Sequence, residues 1–427
     1  MNRKVYFGIL AFLIACISVS FTSSENKTQG KVQPPFIIEN DPWVDSVFNS
    51  LTTDEKISQL FMVAAYSNKD SVHVKNIAKL VKENKIGGLI FMQGGPVRQA
   101  ILTNYYQSLS KTPLMISIDG EWGLAMRLDS TICFPRQMTL GAIKDDSLIF
   151  KMGQVIARQC KRIGVTINFA PDIDINNNPN NPVIGMRSFG EDKNKVVSKG
   201  LMYMKGLQSE HVLTTGKHFP GHGDTDADSH LRLPVVKHSR QRLDTLELYP
   251  FKQLIDSGLT GVMVAHLQVN SIDKSKNTPT TLSKLAVTNL LKKQMGFKGL
   301  IFTDALNMKG VSDFYKPGEV DYKALKAGND VLLFSEDVPT GVARIKEGIA
   351  KGEIDSNEVF EHCKKILMAK KWMQLDKYQP VKIDSIYADL HTMDAELLNR
   401  KLVEASITIA KNNNNFLPLK RLDTLRS

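Results

Sequence analysis

Short, unbroken apolar runs recur along the chain at residues 59–66, 87–92, 114–118, 165–170, 212–216, 261–265, 299–303 and 330–334. They are continuous rather than alternating, the pattern of strands buried on both faces. Between them, apolar positions fall at helical spacing at 72–83, 147–163, 196–208, 243–257, 284–295 and 322–327. Thr52, with Glu55 three residues on, forms a capping box that predicts the start of the first helix. Eight strands with intervening helices predict an α/β fold, a (β/α)₈ TIM barrel. Amphipathic stretches at 338–349 and 356–372 are expected to close it. Pro380 and Asp384 open a linker, 394–405 reads as a further helix, and 406–419 as one strand, a turn and an apolar stub. A lone strand is unstable, so this end is expected to be the start of a second domain that is truncated or absent. The expected divisions are a targeting segment at 1–23, a tether at 24–40, the barrel at 41–378 and the linker helix with the first strand of a C-terminal domain at 379–427.

A barrel places functional groups just beyond its strand ends, and the polar residues fall there. Asp119-Gly120-Glu121 follows the third run, Asp172-Ile173-Asp174 the fourth, Lys217-His218 the fifth, His266 the sixth and Asp304 the seventh. A doubly wound open sheet would call for a glycine-rich phosphate loop after the first run; Ala65-Tyr66-Ser67-Asn68 is not one.

The densest chemistry lies in Lys217-His218-Phe219-Pro220-Gly221-His222-Gly223-Asp224-Thr225-Asp226-Ala227-Asp228-Ser229-His230, where fourteen residues hold three His, three Asp and one Lys. Gly221, Gly223 and Pro220 forbid a helix, so these groups are expected on an irregular loop above a strand end. A solvated turn would carry more Lys and Glu filler.

Composition narrows the setting. The 427 residues are 42% hydrophobic and 23% charged, ordinary for a soluble globular protein. The net charge of +11 is spread along the chain without aromatic-and-Arg interleaving, which fits an anionic polymer or membrane face better than nucleic acid. Arg3 and Lys4 precede an apolar stretch at 5–15, shorter than a membrane span, so residues 1–23 read as an export signal. Two readings of it stand. Leu13-Ile14-Ala15-Cys16 resembles a bacterial lipobox, with Cys16 lipidated and membrane-attached; the other is plain cleavage near 18–23. Both place the protein in the periplasm or cell envelope. Cys133, Cys160 and Cys363 are widely spaced without a CxxC, describe neither metal site nor disulfide framework, and read as buried small hydrophobes.

With these pieces in order, the chain resembles the bacterial β-N-acetylglucosaminidases (β-hexosaminidases) of glycoside hydrolase family 3 over about residues 45–375. The matching pieces are Asp119-Gly120-Glu121, Asn181-Pro182-Val183-Ile184-Gly185-Met186-Arg187-Ser188-Phe189-Gly190, the 217–230 loop with its Asp-Ser-His ending, and Phe302-Thr303-Asp304-Ala305-Leu306-Asn307-Met308. The resemblance implies a retaining glycosidase in which Asp304 is the nucleophile and His230, oriented by Asp228, the acid/base. Read from the residues alone, Asp304 serves equally as a helix N-cap. The resemblance further implies that Asp119, Arg187, Lys217 and His218 surround the terminal sugar, with long donors and a carboxylate for its hydroxyls. Arg127 is added to that set, although Glu121-Trp122-Gly123-Leu124-Ala125-Met126-Arg127 departs from the family's glycine-rich run, and Trp122 reads either as packing or as a stacking face. His222 and His266 read equally as structural. The implied partner is an N-acetylglucosamine-containing glycan such as a peptidoglycan fragment, with no cofactor, no metal and no nucleic acid, and a monomer is expected.

Other readings compete. A β-glucosidase of the same family usually takes its acid/base carboxylate from a second domain, whereas the Asp-Ser-His loop supplies one within the barrel. A zinc hydrolase could use His218, His222, His230 and nearby Asp, but the His pair that such barrels commonly carry after the first strand is missing from 64–68. As a calcium loop, 172–183 has Asn177 at the turn-glycine position and Val183 at the acidic twelfth. A non-catalytic glycan-binding barrel would not need Asp304 together with Asp228 and His230.

Overall fold

The apolar runs become the staves of one parallel sheet. In a computed structural model that describes residues 31–227, 233–413 and 417–418, the strands are β1 Phe61–Ala65, β2 Gly88–Phe91, β3 Met115–Ile118, β4 Ile167–Asn168, β5 Leu213–Phe219, β6 Val235–Val236, β7 Gly261–Val264, β8 Gln268–Val269, β9 Leu300–Thr303 and β10 Leu332–Leu333. Eight of them run in the order β10-β1-β2-β3-β4-β5-β7-β9, with every ladder parallel. Parallel bridging of Phe302 to Val331 brings β9 back to β10 and closes the ring; the Thr303 amide donates to the Val331 carbonyl at 3.0 Å. All residues of β2, β3, β5, β7 and β9 are buried, because helices cover the outside and side chains fill the inside. Phe169 and Phe302 meet edge to face at 5.2 Å.

All eight expected strands form, with two informative differences in extent. β4 keeps only two residues, since the Ala170 amide turns back to the Asn168 carbonyl. β5 instead runs on through Lys217-His218-Phe219, where Phe219 pairs with Val264 after an irregularity. The first three residues of the expected loop are therefore strand, and their side chains are set by a ladder rather than by a turn. β6 and β8 form a small parallel ladder beyond β5 and β7, too short to leave a pattern in the sequence.

The capping box at Thr52 and Glu55 forms with both bonds made. The helix expected over 243–257 is two, Arg240–Thr245 and Leu248–Asp256, and the one over 284–295 is wound as a π-helix, Leu285–Gln294. Helices Pro42–Ser50 and Pro96–Leu109, each opened by proline, were not among the expected segments.

Within the compact unit, the segments on either side of the barrel make specific contacts with it. Phe36 is fully buried and the Val32 amide donates to the Asp256 carbonyl, so the expected tether is fastened to the barrel at these two points. Beyond it, Ile386–Leu390 and Met393–Ser406 dock on helix Ser147–Arg162. Leu390 and Leu402 are fully buried there, the Gln159 amide donates to the Leu390 carbonyl, and Arg162 holds the Lys382 and Asp384 carbonyls and the Asp389 carboxylate. Residues 407–413 form no strand, and Ile407 and Ile409 are exposed. Cys160 and Cys363 are core residues, whereas Cys133 is exposed. Among the described residues no helix is long and apolar enough to cross a membrane. Cys16 and the export signal lie outside the described residues.

Candidate active site

At the C-terminal mouth of the barrel lies a cavity of about 640 Å³ that brings together Asp119, Arg127, Arg187, Lys217, His218 and Asp304. A larger cavity, about 1020 Å³, opens on the other face beside Gly164, His211 and Trp372 and touches none of them.

Asp119 ends β3, and the turn after it is pinned on both sides. The Asn168 side chain accepts from the Gly120 amide and donates to its carbonyl, while the Tyr203 hydroxyl donates to that same carbonyl. The 3₁₀ turn Leu124–Met126 delivers Arg127 back to Asp119, so the departure from the glycine-rich run does not dislodge it: Arg127 Nη2 donates to Asp119 Oδ2. Trp122 packs its ring against Arg136, 4.8 Å from the guanidinium, and does not line the cavity.

From Asp119 an unbroken chain of ionic and hydrogen-bonded contacts runs across the mouth. Lys217 Nζ lies 3.0 Å from Asp119 Oδ1 and 2.8 Å from Glu121 Oε1. Glu121 receives Arg187 at two points, with Nη2 at 2.7 Å from Oε1 and Nε at 3.0 Å from Oε2. Arg187 Nη2 also contacts His218 Nε2 at 3.0 Å, and His218 Nδ1 contacts Asp174 Oδ2 at 2.7 Å. Burial pushes the Asp119 carboxyl up, but Lys217 and Arg127 outweigh it and hold it far below the usual carboxylate range. Burial is likewise overcome at Glu121, which Arg187 and Lys217 bring down to about 2. The wall is thus permanently charged, and its members neutralise one another.

Asp172 is different. Burial first, and then the neighbouring Asp174, push its carboxyl up to about 8, and its Oδ2 is a buried acceptor without a hydrogen bond. The backbone of that turn is held by Gln137, which donates to the Asp172 and Arg187 carbonyls and accepts from the Asp172 amide.

His218 lines the cavity as one of the residues expected around the sugar. Its ring nitrogens face Arg187 and Asp174; burial and Arg187 press its pKa down to about 4. Burial lowers His222 similarly. Its Nδ1 meets the Thr225 hydroxyl at 2.7 Å and its carbonyl accepts from Asn181. His266 is fully buried, with Nε2 donating to the Ala305 carbonyl at 2.9 Å, and so steadies the turn after Asp304. Two glycines of the 217–230 motif have steric reasons. Gly221 sits at φ +127°, and a Cβ on Gly223 would fall 1.9 Å from the Ile175 carbonyl oxygen. Asp224 is held by His238 and Arg242 outside the cavity. Asp228 and His230, the expected acid/base pair, lie outside the described residues.

Asp304 closes β9 at the cavity, its amide bonded to the Val264 carbonyl and its Oδ1 accepting from the Ala305 amide. Ile90, Met92, Met263, Leu333 and Phe334 add apolar surface to the cavity lining. Among the described residues, two groups bring three possible metal ligands within 4.8 Å: Asp172, Asp174 and His218, and Asp224, His238 and Glu247. In the first, His218 is bonded to Asp174; in the second, Arg242 already bridges the two carboxylates. Of the histidines considered from sequence with nearby Asp, His218 falls in the first group, His222 in neither, and His230 lies outside the described residues. Sequence reasoning passed over Glu121, Asp174, Gln137 and Asn181 as separate site residues. Burial of Glu121 was the signal it lacked, since the sequence shows an acid beside Asp119 but not that it is enclosed.

Residues 52–369 match the glycosyl hydrolase family 3 N-terminal domain. Beta-hexosaminidase A of Pseudoalteromonas piscicida is 36% identical over 280 residues, 60% of this chain and 47% of that protein, so the match spans about half of the relative's length. Beta-hexosaminidase LpqI of Mycobacterium tuberculosis is 32% identical over 321 residues, 72% of this chain and 80% of its own. A solved family 3 β-N-acetylglucosaminidase from Paenibacillus sp. superposes with a TM-score of 0.79 at 34% identity, covering 86% of this chain and 71% of that one. With the barrel, the charged mouth and Asp304 in place, the chain belongs to glycoside hydrolase family 3.

Proposed function

We propose that this glycoside hydrolase releases terminal, non-reducing β-linked N-acetylglucosamine by a two-step retaining mechanism. The observation that carries the reading is the convergence of Asp304 with Asp119, Arg127, Arg187 and Lys217 on one cavity. Asp304 supplies a carboxylate beneath the anomeric carbon, forms the glycosyl-enzyme as the aglycone departs, and is released when water attacks. The charged wall gives hydroxyl groups fixed donors and acceptors that need no reorganisation during the reaction. The apolar residues of the same lining suit an acetamide methyl better than a bare 2-hydroxyl. His230, oriented by Asp228, protonates the leaving oxygen and then deprotonates the water. The names of the hexosaminidase relatives support the sugar.

The export signal and the spread of positive charge support action in the cell envelope on peptidoglycan fragments, with Cys16 as the lipid anchor. Labelled fatty acid is then incorporated by the wild type and not by Cys16→Ala; equal labelling leaves simple secretion.

A β-glucosidase is the second reading, since a relative named beta-N-acetylglucosaminidase/beta-glucosidase from Cellulomonas fimi aligns over 91% of the chain at 25% identity. Assay of the purified protein on an aryl N-acetylglucosaminide and an aryl glucoside, side by side, decides between them. Preference for the glucoside, or turnover that requires phosphate, overturns hydrolysis of N-acetylglucosaminides.

A further inference from the structure

Arg187 has donors only. Its Nη2 lies 3.0 Å from His218 Nε2, so that ring nitrogen must offer a lone pair. In a neutral imidazole the proton is then on Nδ1, and Asp174 Oδ2, 2.7 Å away, must be the acceptor. The imidazolium and the Nε2-H tautomer would each set N–H against N–H. Asp172 Oδ2 is 3.7 Å from the same Nδ1, too far to take its place.

The Asp174 carboxylate does more than fix this ring. Its Oδ2 also accepts from the His218 amide at 3.1 Å, and its Oδ1 from the His222 amide at 2.7 Å. One fully buried side chain thereby holds the end of β5 and the beginning of the loop that leads toward residue 230. Asp174 itself is held by its amide bond to Asp172 Oδ1 and by Ser188, whose hydroxyl donates to the Asp174 carbonyl.

We propose that Asp174 is a positioning residue of the glycosidase: its carboxylate dictates the His218 tautomer that aims Arg187, and clasps the loop after β5. This rests on the reading above that Arg187 meets the sugar. Substitution by Asn cannot preserve the clasp in either amide orientation. With NH₂ at the Oδ2 position it faces the His218 amide; at the Oδ1 position it faces the His222 amide.

The test has a spectroscopic and a kinetic arm. In the full chain labelled with ¹⁵N-histidine, the His218 resonance, assigned by its loss in His218→Asn, should show a protonated Nδ1 and an unprotonated Nε2, without titration between about pH 5 and 8. A protonated Nε2 at pH 7 overturns the proposal, and this wild-type spectrum decides alone if Asp174→Asn does not fold. Where the variant folds, kcat/KM per folded molecule should drop roughly 10²-fold, the scale of a small misplacement at a reacting centre. A purely structural role would lower Tm and leave kcat/KM within twofold, which also overturns the proposal. Both aryl substrates are assayed. Absence of turnover on both defeats the functional reading, while the tautomer still judges the clasp.

Discussion

Glu121 and Arg187 form a two-point ion pair at the bottom of the charged wall, with Glu121 wholly enclosed. Lys217 shares the same carboxylate. Removing the charge strands two buried cations, and breaking a buried pair on one side costs about 3–5 kcal/mol. Glu121→Gln keeps part of the hydrogen bonding, so a loss of roughly 3 kcal/mol is expected by denaturant titration, with a raised KM. The pH dependence follows from the lowered pKa. Stability from this group is fully present above the ordinary Glu value of 4.5 and is lost as pH falls through about 2. The wild type should therefore lose its advantage over Glu121→Gln across that window; an advantage unchanged at pH 2 would refute the pairing as its source.

Asp304→Asn should nearly abolish turnover, on the order of 10⁶-fold as for removal of a covalent nucleophile, while the fold stays intact. Its amide still donates the ladder bond to the Val264 carbonyl, and the Ala305 amide can donate to Asn Oδ1 as it does to Asp304. Mass spectrometry after reaction with a 2-fluoro-sugar should find the adduct on Asp304 alone. An adduct on another residue removes it from the role.

Much of this was legible in the chain. Continuous apolar runs gave the strands because both faces of a closed parallel sheet are buried, and strand-end polar residues gave the mouth. Legibility failed where a long-range partner decides. The extension of β5 to Phe219 depends on Val264, and the burial of Phe36 on the barrel beneath it. The ring contacts of His218 could not be read from its place next to Lys217. Only the positions of Arg187 and Asp174 show that its two nitrogens are engaged.

His230 should reveal its role through the leaving group. General acid help is worth roughly 10²–10⁴-fold, so His230→Ala should lose that much on natural disaccharides. On an activated aryl substrate the first step should suffer far less, with glycosyl-enzyme accumulating as its breakdown slows. Asp228→Ala should show a milder form. A uniform loss across leaving groups, or rescue by zinc, would mean that His230 binds substrate or metal rather than moving protons.

Lys370 offers a test far from the site. It is fully buried, and its Nζ donates to Gln59 Oε1 at 2.6 Å, a neutral partner. Burial presses its pKa from 10.5 down to about 7. The unfolded chain binds this proton below about pH 10.5 and the folded one only below about 7, so stability falls as pH drops across that interval and stays reduced beneath it. Lys370→Met removes the cost but leaves Gln59 Oε1 short of a donor, a loss of about 1–3 kcal/mol. The net effect expected is a gain of ~2 kcal/mol at pH 7, shrinking and then reversing toward pH 10.5, read as the difference in unfolding free energy between variant and wild type. A difference flat with pH would show that Lys370 keeps its ordinary pKa in the fold.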